Sequence, residues 1–235
     1  SMNLISIKTG LAALTLMGVT SLAACSTTAQ NQNQASSPNP TTASVTSNKQ
    51  NASTHSGADR SHMNHNMSMD LGPADTDYDL RFIDAMMLHH QGAVDMAKEV
   101  LNKSQRPEMK KLAEDIITAQ NREINQMKQW RKTWYPKASS TPMAHHPQMG
   151  HMMPMSQEMM QSMMMSMDLG AANAEFDKRF INAMIPHHEG ALVMAQDALS
   201  KSKRAEIKKL SQDIVSSQQK EIDQMKQWRK TWYNE

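Results

Sequence analysis

Cysteine, aromatic side chains and long apolar runs are all scarce in this chain. Cys25 is the single cysteine, so no disulfide can form within one molecule. Aromatics make up 4% of the 235 residues, and the formal net charge of +2 gives no basic excess of the kind that nucleic acid requires. No nucleophile triad, phosphate-binding glycine loop or dinucleotide fingerprint is present. Lysine pairs such as Lys110-Lys111 and Lys208-Lys209 read as solvated helix faces. The one marked apolar run, Leu11 to Ala24 behind Lys8, is short for a membrane span and has the form of a secretory signal.

That run ends in Leu22-Ala23-Ala24-Cys25, which resembles the bacterial lipobox, where the cysteine is lipidated. Residues 1–25 are therefore expected to be a lipoprotein-type signal peptide. Cys25 would then carry a lipid anchor on the periplasmic face of a bacterial membrane, or the protein is periplasmic if the lipobox is not used. From 26 to 60 the chain is rich in Ser, Thr, Asn, Gln, Pro and Ala, with almost no large apolar residue. Such a segment cannot bury enough surface to offset its ordering entropy, so a disordered tether is expected.

What the chain has in excess is methionine, 24 of 235 residues, more than an ordinary core uses. Much of it sits in a duplication. FIDAMMLHHQGAVDMA, starting at Phe82, returns as FINAMIPHHEGALVMA at Phe180, and residues 67–135 align with 165–233 without a gap. Both copies open with MSMDLG and close with QMKQWRKTWY. A match this long is an internal repeat.

Each copy reads as two helices, from about 75 to 103 and from about 107 to 135 in the first. In the first helix Phe82, Met86, His89, Ala93, Met96 and Val100 share one side at about 100° per residue, with His90 and Ala97 at its margin. The second places Met109, Leu112, Ile116, Gln120, Glu123, Met127, Trp130 and Trp134 on one face. The link Lys103-Ser104-Gln105-Arg106 is short and polar, with Ser104 as the expected N-cap and Pro107 in the first turn. A short link implies an antiparallel hairpin, and two hairpins make a four-helix bundle with approximate two-fold symmetry. The expected organisation is all-α: a Met/His-rich lead-in over 61–74, hairpin 1 over 75–135, a Met/His-rich connection over 136–167 and hairpin 2 over 168–235. Pro186 replaces Leu88 within the repeat, which is expected to bend the helix and make the two His-His positions inequivalent.

The inward polar residues point to chemistry. His89, His90, His187 and His188 repeat at one helical position beside Met86, Met96, Met127, Met184, Met194 and Met225. Thioether beside imidazole suits a soft or borderline metal rather than magnesium or calcium. Glu123 and Glu221 lie on apolar faces, where a carboxylate needs a partner. Either can accept a hydrogen bond from one histidine nitrogen and leave the other free to bind metal. The competing reading is a satisfied polar layer without metal, with the methionines as core.

Outside the periodic segments, His62, Met63, His65, Met67 and Met69 precede the first hairpin. Met143, His145, His146, Met149, His151, Met152, Met153 and Met155 follow it. Pro142, Pro147, Gly150 and Pro154 argue against a continuous helix there, and 156–167 has room for a turn or two. Histidine interleaved with methionine suits flexible capture of Cu(I) or Ag(I), and thioethers avoid the disulfide chemistry of an oxidising compartment. A Met-rich protein-binding surface is the alternative.

The pattern F-I-x-x-M-x-x-H-H-x-x-A-x-x-M-A, followed by E-I-x-x-M-x-x-W, resembles the CopM-like family of exported, ferritin-like bacterial copper-binding proteins, long filed as a domain of unknown function. The resemblance covers residues 67–235. It implies a ferritin-like bundle without enzymatic activity that binds several copper ions per chain, as Cu(I) or Cu(II) with silver as mimic. It also implies a role in metal resistance, with a copper efflux or chaperone protein as partner. A redox metalloenzyme is the rival on the same fold, but the helices lack the Glu-x-x-His pairs of di-iron bundles. If imidazole is a principal ligand, copper affinity falls as pH drops from 8 towards 5, because protonated histidine cannot ligate. A flat affinity over that range, measured by competition with a chelator, would leave only the thioethers.

Overall fold

The sequence period of 3.6 is realised in four long helices. They are α1 (Tyr78–Lys103) and α2 (Pro107–Trp134), then α4 (Phe176–Lys201) and α5 (Ala205–Tyr233). The computed structural model describes residues 69–235. The expected signal peptide and tether, and Cys25, His62, Met63, His65 and Met67, lie outside the described residues. Among the described residues no helix is long and apolar enough to cross a membrane.

Each helix pair forms a hairpin, and the hairpins meet along α1 and α4. The packing is reciprocal. Phe82, Ile83 and Met86 of α1 and Met127 of α2 share one apolar cluster with Met194 and Ala198 of α4 and Ile207 and Ile214 of α5. The second cluster joins Met96, Val100, Met109 and Ile116 to Phe176, Phe180, Met184 and Met225. Phe82 and Phe180, Met86 and Met184, and Met127 and Met225 are repeat mates, so each hairpin completes the core of the other. Between the clusters lies a layer of buried polar residues: His89, His90, Gln120, Glu123, His187, His188 and Gln218.

The links between helices serve the opposite hairpin. Ser104 was expected to cap α2, but it closes α1, and its hydroxyl accepts from the Arg106 N–H at 3.1 Å. Arg106 occupies the cap position instead, ahead of Pro107 in the first turn. Its guanidinium lies 4.1 Å from the centre of the Trp232 ring and 3.4 Å from Asp177 Oδ2, both in the second hairpin. Arg204 returns the contact, 4.2 Å from the Trp134 ring and 3.3 Å from Asp79 Oδ2. Stacking of Trp130 on Trp134 (5.1 Å) and Trp228 on Trp232 (5.0 Å), one turn apart, holds each indole in place. Lys103 and Lys201 likewise donate across the interface to the carbonyls of Gly170 and Gly72, each at 2.8 Å.

The connection departs from the expected flexible segment. Met143–His146 (β1) and His151–Pro154 (β2) pair antiparallel, with His145 opposite Met152 and His146 opposite His151. Gly150, at φ +66°, takes the left-handed position in the turn. Ser156 caps the next helix, α3 (Gln157–Met164), accepting from the Met159 N–H. Both α3 and β1 pack on α1. The strands escape notice in the sequence because Met-Ala-His-His and His-Met-Met-Pro contain no β-branched residue or clean alternation.

Asp84 anchors this connection. It pairs twice with Arg131 (2.6 and 3.1 Å) and accepts from the Met143 N–H at 2.9 Å. Its repeat mate Asn182 is exposed and makes one 3.3 Å contact with Arg229. The Arg–Trp clamps give a direct test of reciprocity. Arg106→Ala and Arg204→Ala should each lower the unfolding free energy by about 1 kcal/mol. Lysine at either position keeps the charge but loses the flat stack, so it should restore only part of that. Urea midpoints unchanged in both alanine variants would show that the clamps contribute nothing.

Candidate metal centre

The repeat places two histidines at the midpoint of α1 and two at the midpoint of α4, and the two-fold relation brings them together. The rings of His89 and His187, which are repeat mates, lie 3.8 Å apart centre to centre with their planes 35° apart. On either side His90 and His188 turn towards the neighbouring helix. Nε2 of His90 is 2.6 Å from Glu123 Oε2, and Nε2 of His188 is 2.5 Å from Glu221 Oε2. A carboxylate accepts only, so in each pair the imidazole donates from Nε2 and Nδ1 is left as the nitrogen that can face a metal. The costly inward carboxylates of the sequence thus have their partners.

His187 is fixed in the same sense by different means. Its Nε2 donates to the Met164 carbonyl at 2.9 Å. Burial, and then the neighbouring His188, push its pKa down to about 3, so it is a neutral base at physiological pH. The Nδ1 atoms of His90, His187 and His188 are all buried without a hydrogen-bond partner, and so are Oε1 of Gln120 and Gln218. Buried polar atoms left unpaired are costly, and three of these are imidazole nitrogens of the kind that bind borderline and soft metals.

Two glycines that sequence reasoning passed over admit what surrounds these rings. A Cβ on Gly190 would lie 3.2 Å from His89 Nε2, 3.1 Å from Met69 Cε and 3.6 Å from its sulfur. The Met69 thioether is therefore seated beside His89. A Cβ on Gly92 would lie 1.8 Å from the Met164 carbonyl oxygen, the same oxygen that holds His187. A glycine two residues after each His-His, inside a helix, was the available signal for such close approach. The surroundings of the two copies differ, through what lies near them: Met69 and His89 both close on Gly190, whereas His187 meets a peptide carbonyl. Helix α4 runs unbroken through Pro186, which is exposed.

Met69 is held in place by the turn before α1. Arg81 is buried and donates to the carbonyls of Leu71 (2.7 Å) and Pro73 (2.8 Å) and to Asp75. Arg179 repeats this with Leu169 and Ala171, but Met167, the mate of Met69, is exposed.

The remaining candidates fall into separate groups. Met86, Met127 and Met194 pack in the first apolar cluster, and Met96, Met184 and Met225 in the second, above and below the histidine layer. Met143, His145 and Met155 line a cavity beside α3. His146 and His151 face each other across the strands with ring centres 6.2 Å apart. Met149 at the hairpin tip is exposed, and Met152 and Met153 are half-buried. The connection is therefore folded over 143–164, and the expectation of a flexible capture loop there is corrected. Among the described residues no three His, Cys, Asp or Glu side chains converge on one point. A metal at the histidine layer would draw its further donors from methionine, which a soft cation accepts and a hard one does not.

A family model described as "Domain of unknown function (DUF305)" matches residues 79–229. Among solved structures, "CopM in the Cu(II)-bound form" is 43% identical with a TM-score of 0.54, over 66% of this chain and 97% of that one. "CopM in the Cu(I)-bound form" and "CopM in the Ag-bound form (by soaking)" are each 39% identical over the same shares, with TM-scores of 0.51 and 0.52. A protein of Acanthamoeba polyphaga mimivirus, "Uncharacterized protein L153", is 45% identical over 49 residues, 21% of this chain and 32% of that protein. The chain thus spans about a third of that viral relative's length.

The two glycines should respond differently to a methyl group. Gly92→Ala forces the Met164 carbonyl off His187, and the lost contacts should outweigh the better helix propensity, lowering stability by about 1–3 kcal/mol. Gly190→Ala meets the flexible end of Met69 and the edge of the His89 ring, each needing to give only a few tenths of an ångström, and should cost about 1 kcal/mol or less. Thermal unfolding of the two variants side by side checks the order, and the reverse order would contradict the placement of Met164.

Proposed function

The chain belongs to the DUF305 family, and from that premise we propose that it is an exported protein that binds copper ions and holds or ferries them in metal resistance. The observation that carries the reading is the set of three buried imidazole Nδ1 atoms without a hydrogen-bond partner, each ring fixed through Nε2 by Glu123, Glu221 or the Met164 carbonyl. A hydrogen bond at the far nitrogen orients a ligating histidine and raises its basicity. Support also comes from the CopM structures with Cu(II), Cu(I) and Ag bound, at 39–43% identity.

On this reading His90, His187 and His188 supply nitrogen donors and His89 with Met69 supplies a mixed imidazole–thioether pair. Copper is the cargo and silver its mimic. Glu123 and Glu221 act through the histidines they hold and do not themselves touch the metal. We read the activity as binding: among the described residues the two carboxylates at the layer, Glu123 and Glu221, are each engaged by histidine, unlike the acid-rich set of an oxygen-activating di-iron centre. The leader ending at Cys25 would fix the protein by a lipid to the periplasmic face of a membrane, where an efflux or chaperone protein is the natural partner.

The test is anaerobic Cu(I) titration of the full chain against a variant with His89, His90, His187 and His188 all changed to Gln. Glutamine keeps a donor for the glutamates but removes the imidazole lone pair. The parent should bind several equivalents and the variant fewer, with helix content unchanged by circular dichroism. Full binding by the folded variant would return the four histidines to a purely structural role.

A further inference from the structure

We propose that the connection between the hairpins builds a second soft-metal site, in a cleft of about 340 Å³ lined by α3, β1 and the turn ahead of α1. The inference rests on the copper and silver reading for the nature of the cargo only. The site itself shares no residue with the histidine layer.

The sequence brings soft donors to this cavity by two different periods. Met143 and His145 are alternate residues of β1 and so share a side of the strand. Met159 and Met163 are four apart on α3 and share its face. Met155 sits at the junction, its N–H bonded to the Pro142 carbonyl at 2.8 Å. All five line the cavity, with Glu158 on its wall. Met155 and Met163 form its buried floor, at 6% and 4% exposure, while Met143, His145 and Met159 are half-buried at its sides.

His145 is held firmly. Its ring lies against Gly72, where a Cβ would come within 2.5 Å of the imidazole Cγ and where φ is +79°. Only glycine allows both the turn and the ring. Arg81 also reaches the cavity, but its guanidinium is engaged by the carbonyls of Leu71 and Pro73 and by Asp75. Asp70 and Glu158, at the exposed rim, supply negative charge near a monovalent cation.

Four thioethers and an imidazole around one space are a poor shell for magnesium or calcium and a good one for Cu(I) or Ag(I). The volume exceeds that of an ion. Unbranched methionine side chains turn about three bonds, so they can swing inward and close on it. Leucine-lined walls of the same size could not.

The experiment uses silver nitrate as probe on the full chain, with Met155→Leu, Met159→Leu and Met163→Leu combined. Leucine is close to methionine in volume, so the packing should survive. Native mass spectrometry should count one Ag⁺ fewer in this variant than in the parent. The four-histidine variant should keep that equivalent, so failure of the histidine-layer reading and failure of this one appear in different proteins. In the parent, labelled with [13C-methyl]methionine, the methyl resonances of Met155, Met159 and Met163 should shift together as silver is added, which tests the site without any mutation. An unchanged silver count in the leucine variant, or methyl resonances that stay in place, overturns the proposal. So does binding of an apolar fluorescent probe that the leucine changes abolish while the silver count holds, since that assigns the cavity to an apolar ligand.

Discussion

A polar layer across the middle of an apolar bundle is the constraint on which the rest of this structure depends. Apolar side chains at His90, His187 and His188 would pack without unpaired nitrogen atoms and would leave Glu123 and Glu221 unnecessary. The bundle instead divides its core in two and keeps ionisable groups between the halves. Each consequence described above follows from that division. The carboxylates must reach imidazoles, the glycines must clear space beside the rings, and the interhelix links must secure the ends of two shorter cores.

The long connection breaks the symmetry that the repeat would otherwise impose. By seating β1 and α3 on α1 it buries Asp84, whose mate Asn182 stays in solvent. By placing the Met164 carbonyl against Gly92 it gives His187 a backbone partner, while Met69 gives His89 a thioether neighbour. One duplicated sequence thus supplies two chemically different surroundings. The difference arises from the segment between the copies and only secondarily from the Leu88/Pro186 exchange within them.

The sequence made the helices and their inward faces legible because periodicity of 3.6 survives in both copies: Phe82, Met86, His89, Ala93, Met96 and Val100 are all buried. The Glu–His pairs were legible too, since a carboxylate on an apolar stripe needs a partner and the repeated histidines were the available ones. Other features were hidden because they depend on distant approach. Nothing local in Arg106 announces that it will meet Trp232, and nothing in Met164 that its carbonyl will fill the gap over Gly92. The β-hairpin was hidden for a different reason, since methionine and histidine carry little strand preference and the pairing is set by Gly150 and by docking on α1.

The reciprocal core has a historical implication. The shared apolar clusters, the Arg–Trp clamps and the lysine-to-carbonyl bonds that one hairpin makes to the other are each returned by the repeat mate. A lone hairpin paired with a second copy of itself would satisfy the same set, so an ancestor of half this length is a physically complete molecule as a homodimer. Tandem fusion of such a gene would turn an interface between identical partners into an interior. Only after that step could the two halves diverge, and only then would there be a linker in which a hairpin, a short helix and their cavity could arise.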